Sequence, residues 1–455
     1  MKLVLLGAGI RTPLLVSGLI RRQESLPLTE VVLYDADPRR LETMGRFVGH
    51  LADRWGARFK VTYAHDFREA ARGAAFIFSA IRVGQEEGRI RDEEIALKHG
   101  VLGQETTGPG GFAMALRTIP VMLDYARVIR EVAPQAWLIN FTNPSGLITQ
   151  ALTTYSPVRA IGICDAPTAM KRSVAAFLGV PADQVYLEYF GLNHLGWIRR
   201  VLVDGEDRMP HILAHYEELA ARYPEWGLFE PDLVRMYGLL PNEYLYYFYY
   251  REKAVANILA SGGTRGQQVL SINRPLWASL AELVASGDMD AALRAYEQGI
   301  NTRNATYMAR ESGRKVEEAA PAEDGTVFEG EGYEGLAMAV MTAAVQRRKA
   351  TLILNVPNCG ALDILRREDV VEVTSLLDEH GARPLAQDPV PPQVSPLITA
   401  VKAYERLTVQ AAVEGSYQLA VQALATHPLV SSYSLARQLV DEYLVAHKPF
   451  LPQFA

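Results

Sequence analysis

KLVLLGAGIRTP, residues 2–13, decides the fold. KLVLL is an apolar run of the kind a parallel strand shows when it is buried on both faces. Gly7 and Gly9 then permit a tight turn, and Thr12-Pro13 opens a helical pattern, LLVSGLI. A second apolar run, VVLY, ends at Asp35, 26 residues beyond Gly9. Strand, glycine turn, helix, strand and acid in that order describe a dinucleotide site. The glycines admit the pyrophosphate, the helix N-terminus favours its charge, and the acid accepts ribose hydroxyls. Thr12 stands where the third glycine of G-x-G-x-x-G would fall. An acid at this strand end favours NAD over NADP.

The alternation continues outward. FKVTYA (59–64), AAFIFSA (74–80), AWLINFT (136–142) and RAIGIC (159–164) read as further strands, and GFAMALRTIPVMLDYARVIREV (111–132) as a helix. Such a βαβ series predicts an α/β protein of Rossmann type, a doubly wound parallel sheet with its chemistry at the strand C-terminal ends. Arg82, Asn143 and the pair Cys164-Asp165 fall at those ends. The stretch GQETTGPGG (103–111) sits there too and reads as a substrate-facing loop. We place a dinucleotide domain over residues 1–165 and an α/β substrate and metal domain over 166–455.

Bulk properties narrow the function. With 455 residues, 49% of them hydrophobic, the chain can bury a large core. A net charge of -6 argues against a nucleic-acid partner. No run reaches the ~18–20 apolar residues of a membrane span. Two cysteines, Cys164 and Cys359, make no disulfide framework and point to a reducing cytoplasm.

The second half is less periodic. VYLEYF and WIRRVLV read as strands, and VKAYERLTVQAAVEGSYQLAVQALATHPLV (401–430) as one long amphipathic helical region suited to core or subunit contact. The segment 317–335 is polar and glycine-rich and reads as a surface loop. PNEYLYYFYY (241–250) is dense in tyrosine, which is more often packing than chemistry. YFGLNHLGW (189–197) sets His194 in an apolar stretch. With Cys164 it allows three readings: a packed structural pair, a thiol nucleophile with its base, or two ligands of a borderline-soft ion. The residues alone leave all three open.

Taken together, these segments resemble glycoside hydrolase family 4, the NAD- and divalent-metal-dependent glycosidases. The likeness runs nearly end to end, through GAGIRTP, SAIRVGQEEGRIRDEEIALKHGVLGQETTGPGG, INFTNPSG, GICDAP, YFGLNHLGW, PNEYLYY, TRGQQV, LNVPN and VKAYERLTV. FTNPSG and GLNHL are most similar to the 6-phospho-β-glucosidase branch. The resemblance implies a C-terminal α/β domain of lactate/malate dehydrogenase type, and a homodimer or homotetramer. It implies that Cys164 and His194 bind manganese or another divalent metal. It also implies that NAD+ oxidises the sugar at C3, that Tyr244 removes the C2 proton, and that the C1–O bond breaks by elimination. This family stands outside two-carboxylate glycosidase chemistry. Glu105 matches a residue that strengthens the tyrosine base, and Asp165 the proton donor of the phospho-α-glucosidase branch. Gly7, Gly9, Thr12, Asp35 and Arg82 would hold the cofactor. Arg89, Asn143 and Arg265 would bind the substrate, a phosphorylated disaccharide or aryl glucoside.

Three departures from the family pattern stand out, the first bearing on cofactor affinity and the second on the preferred anomer. GAGIRTP replaces a serine-rich turn, CDAP carries Asp165 where phospho-β-glucosidases often have Asn, and NVPNCGALDILRRED replaces N-x-G-x-I-x-N-L-P, with Cys359 a bystander. Asp165 makes a 6-phospho-α-glucosidase one alternative, and a glycosidase of unphosphorylated sugars is another, since the arginines could equally bind sugar hydroxyls. Two further rivals are an NAD-dependent 2-hydroxyacid dehydrogenase, which would not explain the Cys/His pair, and a non-catalytic NAD-sensing protein.

Overall fold

The structure, a computed structural model, describes residues 1–314, 328 and 333–454. Apolar runs become the strands β1 (Lys2–Leu6), β2 (Glu30–Tyr34), β3 (Lys60–Tyr63), β4 (Phe76–Ser79), β5 (Trp137–Asn140) and β6 (Arg159–Gly162). They pair in parallel in the order 3-2-1-4-5-6. Strand order reverses between β1 and β4, which opens a crevice outside their carboxyl ends. The connecting helices are α1 (Thr12–Arg21), α2 (Pro38–Arg54), α3 (Phe67–Ala71), α4 (Gln85–Lys98), α5 (Pro109–Val132), α6 (Ser145–Tyr155) and α7 (Ala166–Leu178). α2 shows how sequence dictates these. Its N-cap Asp37 accepts from the amides of Arg39 and Arg40, and Leu41, Met44, Phe47, Val48 and Leu51 form its buried stripe.

Two features lay beyond the sequence reading. First, the sheet does not end at β6. A hairpin, β7 (Val185–Leu192) and β8 (Leu195–Val203), forms a separate antiparallel sheet with the short β9 (Glu206–Asp207) and β10 (Leu240–Pro241). The chain then returns as β11 (Ala350–Pro357), β12 (Val370–Asp378) and β13 (Gly381–Pro384), which extend the first sheet antiparallel beyond β6 to nine strands. Residues 166–455 thus complete the sheet that residues 1–165 begin. Its two outermost strands, β3 and β13, have four residues each.

Second, the helical region expected over 401–430 is two helices, Ser395–Glu414 and Tyr417–Thr426. Gly415 separates them at φ +67, and a Cβ there would lie 1.7 Å from the Gln453 carbonyl oxygen. The expected loop over 317–335 lies outside the described residues, apart from Phe328 and the start of the helix Tyr333–Gln346.

One buried ion pair clamps the helices that carry the site. Asp92 of α4 receives both Arg117 guanidinium nitrogens of α5 at 2.7 Å, with both side chains almost fully buried. His447 Nε2 lies 2.7 Å from the same carboxylate. Asp92→Ala should cost about 3–5 kcal/mol, because it strands a buried guanidinium. Urea denaturation would measure it. A midpoint and slope matching wild type would show that the pair contributes nothing.

Candidate active site

The crevice between β1 and β4 opens into a cavity of about 1080 Å³. Gly7, at φ +108, is required by close approach: a Cβ would lie 2.7 Å from the Ala80 carbonyl oxygen at the end of β4. A Cβ on Gly9 would meet nothing within 4 Å, so this glycine faces open cavity. Thr12 starts α1, its amide donating to the Gly9 carbonyl at 3.0 Å. Asp35 accepts from the Ala8 amide at 2.9 Å and the Asp37 amide at 2.8 Å, which pins the turn to the end of β2. Glycine turn, helix N-terminus and acid line one wall together. That wall fits a dinucleotide.

The opposite end holds the thiol, the imidazole and the phenol. Cys164 follows β6 by two residues. His194 occupies the two-residue turn between β7 and β8 at φ +62, a left-handed conformation that few non-glycine residues adopt and that functional sites often hold. Cys164 Sγ and His194 Nε2 are 3.5 Å apart. Thr106 Oγ1 lies 3.0 Å from His194 Nδ1 and 3.1 Å from Gln104 Oε1. With the hydroxyl proton given to Gln104, Nδ1–H donates to Thr106. The Nε2 lone pair is then left facing the sulfur.

This donor set fits a metal. Cys164 Sγ and His194 Nε2 lie close enough together to ligate one divalent ion, and a thiolate with an imidazole suits a borderline-soft one. Burial lowers the His194 pKa to about 4, which keeps the imidazole neutral and able to ligate. Burial, then the Glu372 and Asp165 carboxylates, pushes the Cys164 thiol up, so a thiolate here requires a cation. Among the described residues no group of three or more His, Cys, Asp and Glu forms a metal cluster. An ion held by two protein donors keeps positions open for substrate oxygens.

Tyr244 lies flat on His194, with ring centroids 3.6 Å apart and planes 2° from parallel. Burial, then the charges of Glu243 and Cys164, holds its phenol well above the ordinary value. The Tyr307 hydroxyl lies 3.0 Å from the Tyr244 hydroxyl and 2.8 Å from Glu243 Oε1. Glu243 is itself pushed up to about 7 by burial.

An arginine cluster completes the lining. Glu105 receives Arg82 at 2.6 Å and Arg89 at 2.8 Å. Burial would raise its pKa, but the two guanidiniums hold it well below the carboxylate range. Glu105 therefore meets arginines rather than Tyr244, on which it acts only through charge. Arg89 also donates to Glu93 at 2.7 Å. Arg265 is engaged by Gln268, Thr306 and the Arg303 carbonyl. Asn143 lines the cavity, and Asp165 pairs with Arg11 at 3.5 Å. Cys359 is exposed and does not line this cavity.

Sequence reasoning missed Glu243, Tyr307, Thr106 and Arg303. Thr106 was within reach, because it belongs to the loop expected to face substrate. Tyr307 and Arg303 come from NTRNATYMAR, which carries no motif or apolar period. Among the described residues no hydrogen bond or ion pair engages the Arg303 guanidinium. Burial, then the charges of Arg11 and Arg89, lowers its pKa. The Glu105 carboxylate acts the other way, and an anionic ligand beside the guanidinium would add to it.

The fold and this site define a doubly wound α/β enzyme that works at the strand ends of its sheet. The chain belongs to family 4 of the glycosyl hydrolases. The model of that family matches residues 2–180, and the model of its C-terminal domain matches residues 189–430. The chain is 32% identical to a probable 6-phospho-β-glucosidase of Bacillus subtilis, over all of this chain and 98% of that protein. It is 29% identical to a phospho-α-glucosidase of Clostridium acetobutylicum, over 98% of this chain and 97% of that one. The 6-phospho-β-glucosidase of Thermotoga maritima, solved with manganese, NAD+ and glucose-6-phosphate, superposes with a TM-score of 0.81 at 29% identity, covering 99% of both chains. A malate dehydrogenase of Plasmodium falciparum shares the fold alone, with a TM-score of 0.50 at 13% identity over 91% of this chain and 99% of that one. The expected dehydrogenase-like architecture is therefore present. Among the described residues no helix is long and apolar enough to cross a membrane.

Proposed function

We propose that the protein hydrolyses 6-phospho-β-glucosides, using NAD and a divalent ion such as manganese. The observation that carries this reading is the meeting of Cys164, His194 and Tyr244 at one end of a dinucleotide-shaped cavity. When bound, the nicotinamide supplies a reversible hydride acceptor for the sugar C3, and the ion supplies Lewis acidity at the neighbouring sugar oxygens. Asp35 and the α1 N-terminus hold the dinucleotide, with Gly7, Gly9, Thr12 and Arg82 shaping its seat. Cys164 and His194 hold the ion, and Thr106 fixes the imidazole tautomer. Tyr244, ionised to phenolate beside the cation, would take the C2 proton; that loss expels the aglycone from C1, and water then adds at C1 before the hydride returns to C3. Glu105 locks Arg82 and Arg89 in place, and Arg89, Asn143 and Arg265 line the sugar's seat. The substrate is a phosphorylated disaccharide or aryl glucoside, and the working form is a cytoplasmic homo-oligomer.

The phosphate assignment draws on the arginine cluster, Arg303 above all. Charged hydrogen bonds of about 1.5–3 kcal/mol make Arg303→Gln raise KM for a 6-phosphorylated glucoside roughly 10- to 150-fold. The same change should leave KM for an unphosphorylated glucoside untouched. Equal KM effects on both would remove Arg303 from phosphate binding.

A second reading, 6-phospho-α-glucosidase, is favoured by Asp165, which lines the cavity where a leaving-group acid would be useful. The β reading rests on the FTNPSG and GLNHL matches, and in the structure Asp165 is paired with Arg11 at 3.5 Å. Nitrophenyl α- and β-glucosides, each with and without 6-phosphate, separate the two. We expect the phosphorylated β-anomer to be fastest, and Asp165→Asn to slow it little. A faster phosphorylated α-anomer, abolished in Asp165→Asn, would overturn the choice. Rates that ignore phosphate would overturn the phospho-sugar assignment.

A further inference from the structure

The groups that meet in the site come from different sheets. Cys164 follows β6 of the nine-stranded sheet, whereas His194 lies in the β7–β8 turn of the second sheet and Tyr244 just beyond its strand β10. Side chains of β12 bridge the two. Glu372 and Thr374 are two residues apart and so share a face of that strand. Thr374 Oγ1 donates to the Leu187 carbonyl at 2.6 Å and accepts from the Tyr189 amide at 3.0 Å, which docks β7. The buried Glu372 carboxylate takes three donors. These are the side-chain amides of Asn193 and Asn355, each at 2.9 Å, and the Tyr189 hydroxyl at 3.0 Å.

Each donor leads to a group of the site. Asn193 is the neighbour of His194 in the turn, and its side chain also reaches the Cys164 thiol. Asn355 of β11 pairs with Gly162, two residues before Cys164. The Tyr189 hydroxyl accepts from Asn242 Nδ2 at 3.2 Å, and Asn242 Oδ1 accepts the Tyr244 amide at 3.1 Å, capping the short helix Glu243–Leu245 that carries the phenol. Gly196 leaves room for this arm, since a Cβ there would collide with the Tyr189 hydroxyl. A carboxylate can accept from all three donors, whereas an amide in its place turns one donor onto another. We propose that Glu372 is a positioning residue of this site, holding the ion-binding turn through Asn193 and the base-bearing turn through Tyr189 and Asn242. The inference rests on the reading of Cys164 and His194 as ion ligands and Tyr244 as the base. Neither arm touches substrate, and the two diverge from one carboxylate, so each can be cut alone.

Two constants test this on the full-length protein: the Kd for manganese alone, by calorimetric titration, and kcat at saturating manganese and NAD+. The substrate is whichever nitrophenyl 6-phosphoglucoside anomer the wild type prefers. Glu372→Gln should weaken manganese roughly 10- to 100-fold and lower kcat by a similar factor, the range for outer partners of a metal site. Asn193→Ala should weaken manganese about as much and hold kcat at saturating ion within about threefold. Tyr189→Phe should do the reverse, lowering kcat about 10-fold or more through a misplaced base while manganese affinity stays within about twofold. A purely structural part for Glu372 would lower the thermal midpoint of the variants and leave both constants of the folded protein at wild-type values, which would overturn the proposal. So would equal losses of both kinds from Asn193→Ala and Tyr189→Phe. Should Glu372→Gln fail to fold, the two single-arm variants decide by the same split. A wild-type protein that binds no manganese would instead remove the metal reading itself.

Discussion

Cys164→Ala and His194→Ala are each expected to empty the metal site and cut hydrolysis by about 10³-fold or more. Lewis-acid assistance supplies several kcal/mol of charge stabilisation, and each 1.36 kcal/mol is tenfold in rate. Two protein donors 3.5 Å apart leave, among the described residues, no third to compensate for the loss of either. Elemental analysis of dialysed protein reads occupancy directly, apart from activity. Chelation of the wild-type protein should reproduce the loss, and added manganese should reverse it. Reductant should be required as well, since the thiol must stay reduced to ligate. NADH should not accumulate, because the hydride returns to the sugar. If either variant keeps one tightly bound ion per chain, that residue is not a ligand.

Tyr244→Phe should retain fold, metal and NAD binding while losing about 10²–10⁴-fold in turnover, the usual contribution of a positioned base. The substitution keeps the ring on His194 and deletes only the phenol oxygen. In heavy water the wild-type product should carry deuterium at C2. Unlabelled product would exclude proton abstraction there, whatever the mutant does. Should Tyr244→Phe be unimpaired, Tyr247 is the substitute to examine, since it too lines the cavity. Its neighbour Tyr246 packs on Tyr250.

What the sequence made legible follows from the range of the forces involved. The inner strands β1, β2, β4 and β5 were readable because both their faces are buried, so each appears as an apolar run between turn residues. β11, β12 and β13 were not read as strands. β12 carries Glu372 and Thr374 inward, where Asn193, Tyr189 and Asn355 satisfy the glutamate, and such buried polar groups break the apolar signal. The Gly415 break was ambiguous because an isolated glycine inside a helical pattern can be tolerated as well as terminate the helix. Candidate residues at strand ends were placed by topology, and the structure gathers them around one cavity. Partner choice was another matter. Arg82 and Arg89 meet on Glu105 through a loop fold that no spacing encodes. Tyr307 reaches Tyr244 across 63 residues from a segment without periodicity.

The short outer strands of the main sheet have a consequence for how copies of the chain meet. β3 is mostly exposed, and β13 ends in Pro384, which has no amide hydrogen to offer a neighbour. Edges this brief are poor templates for another chain's backbone, so one sheet will not continue into the next. An assembly of this enzyme gains little from these two edges and must draw on other surfaces. Its partner preference is thereby open to change by surface substitution, with the catalytic sheet left as it is.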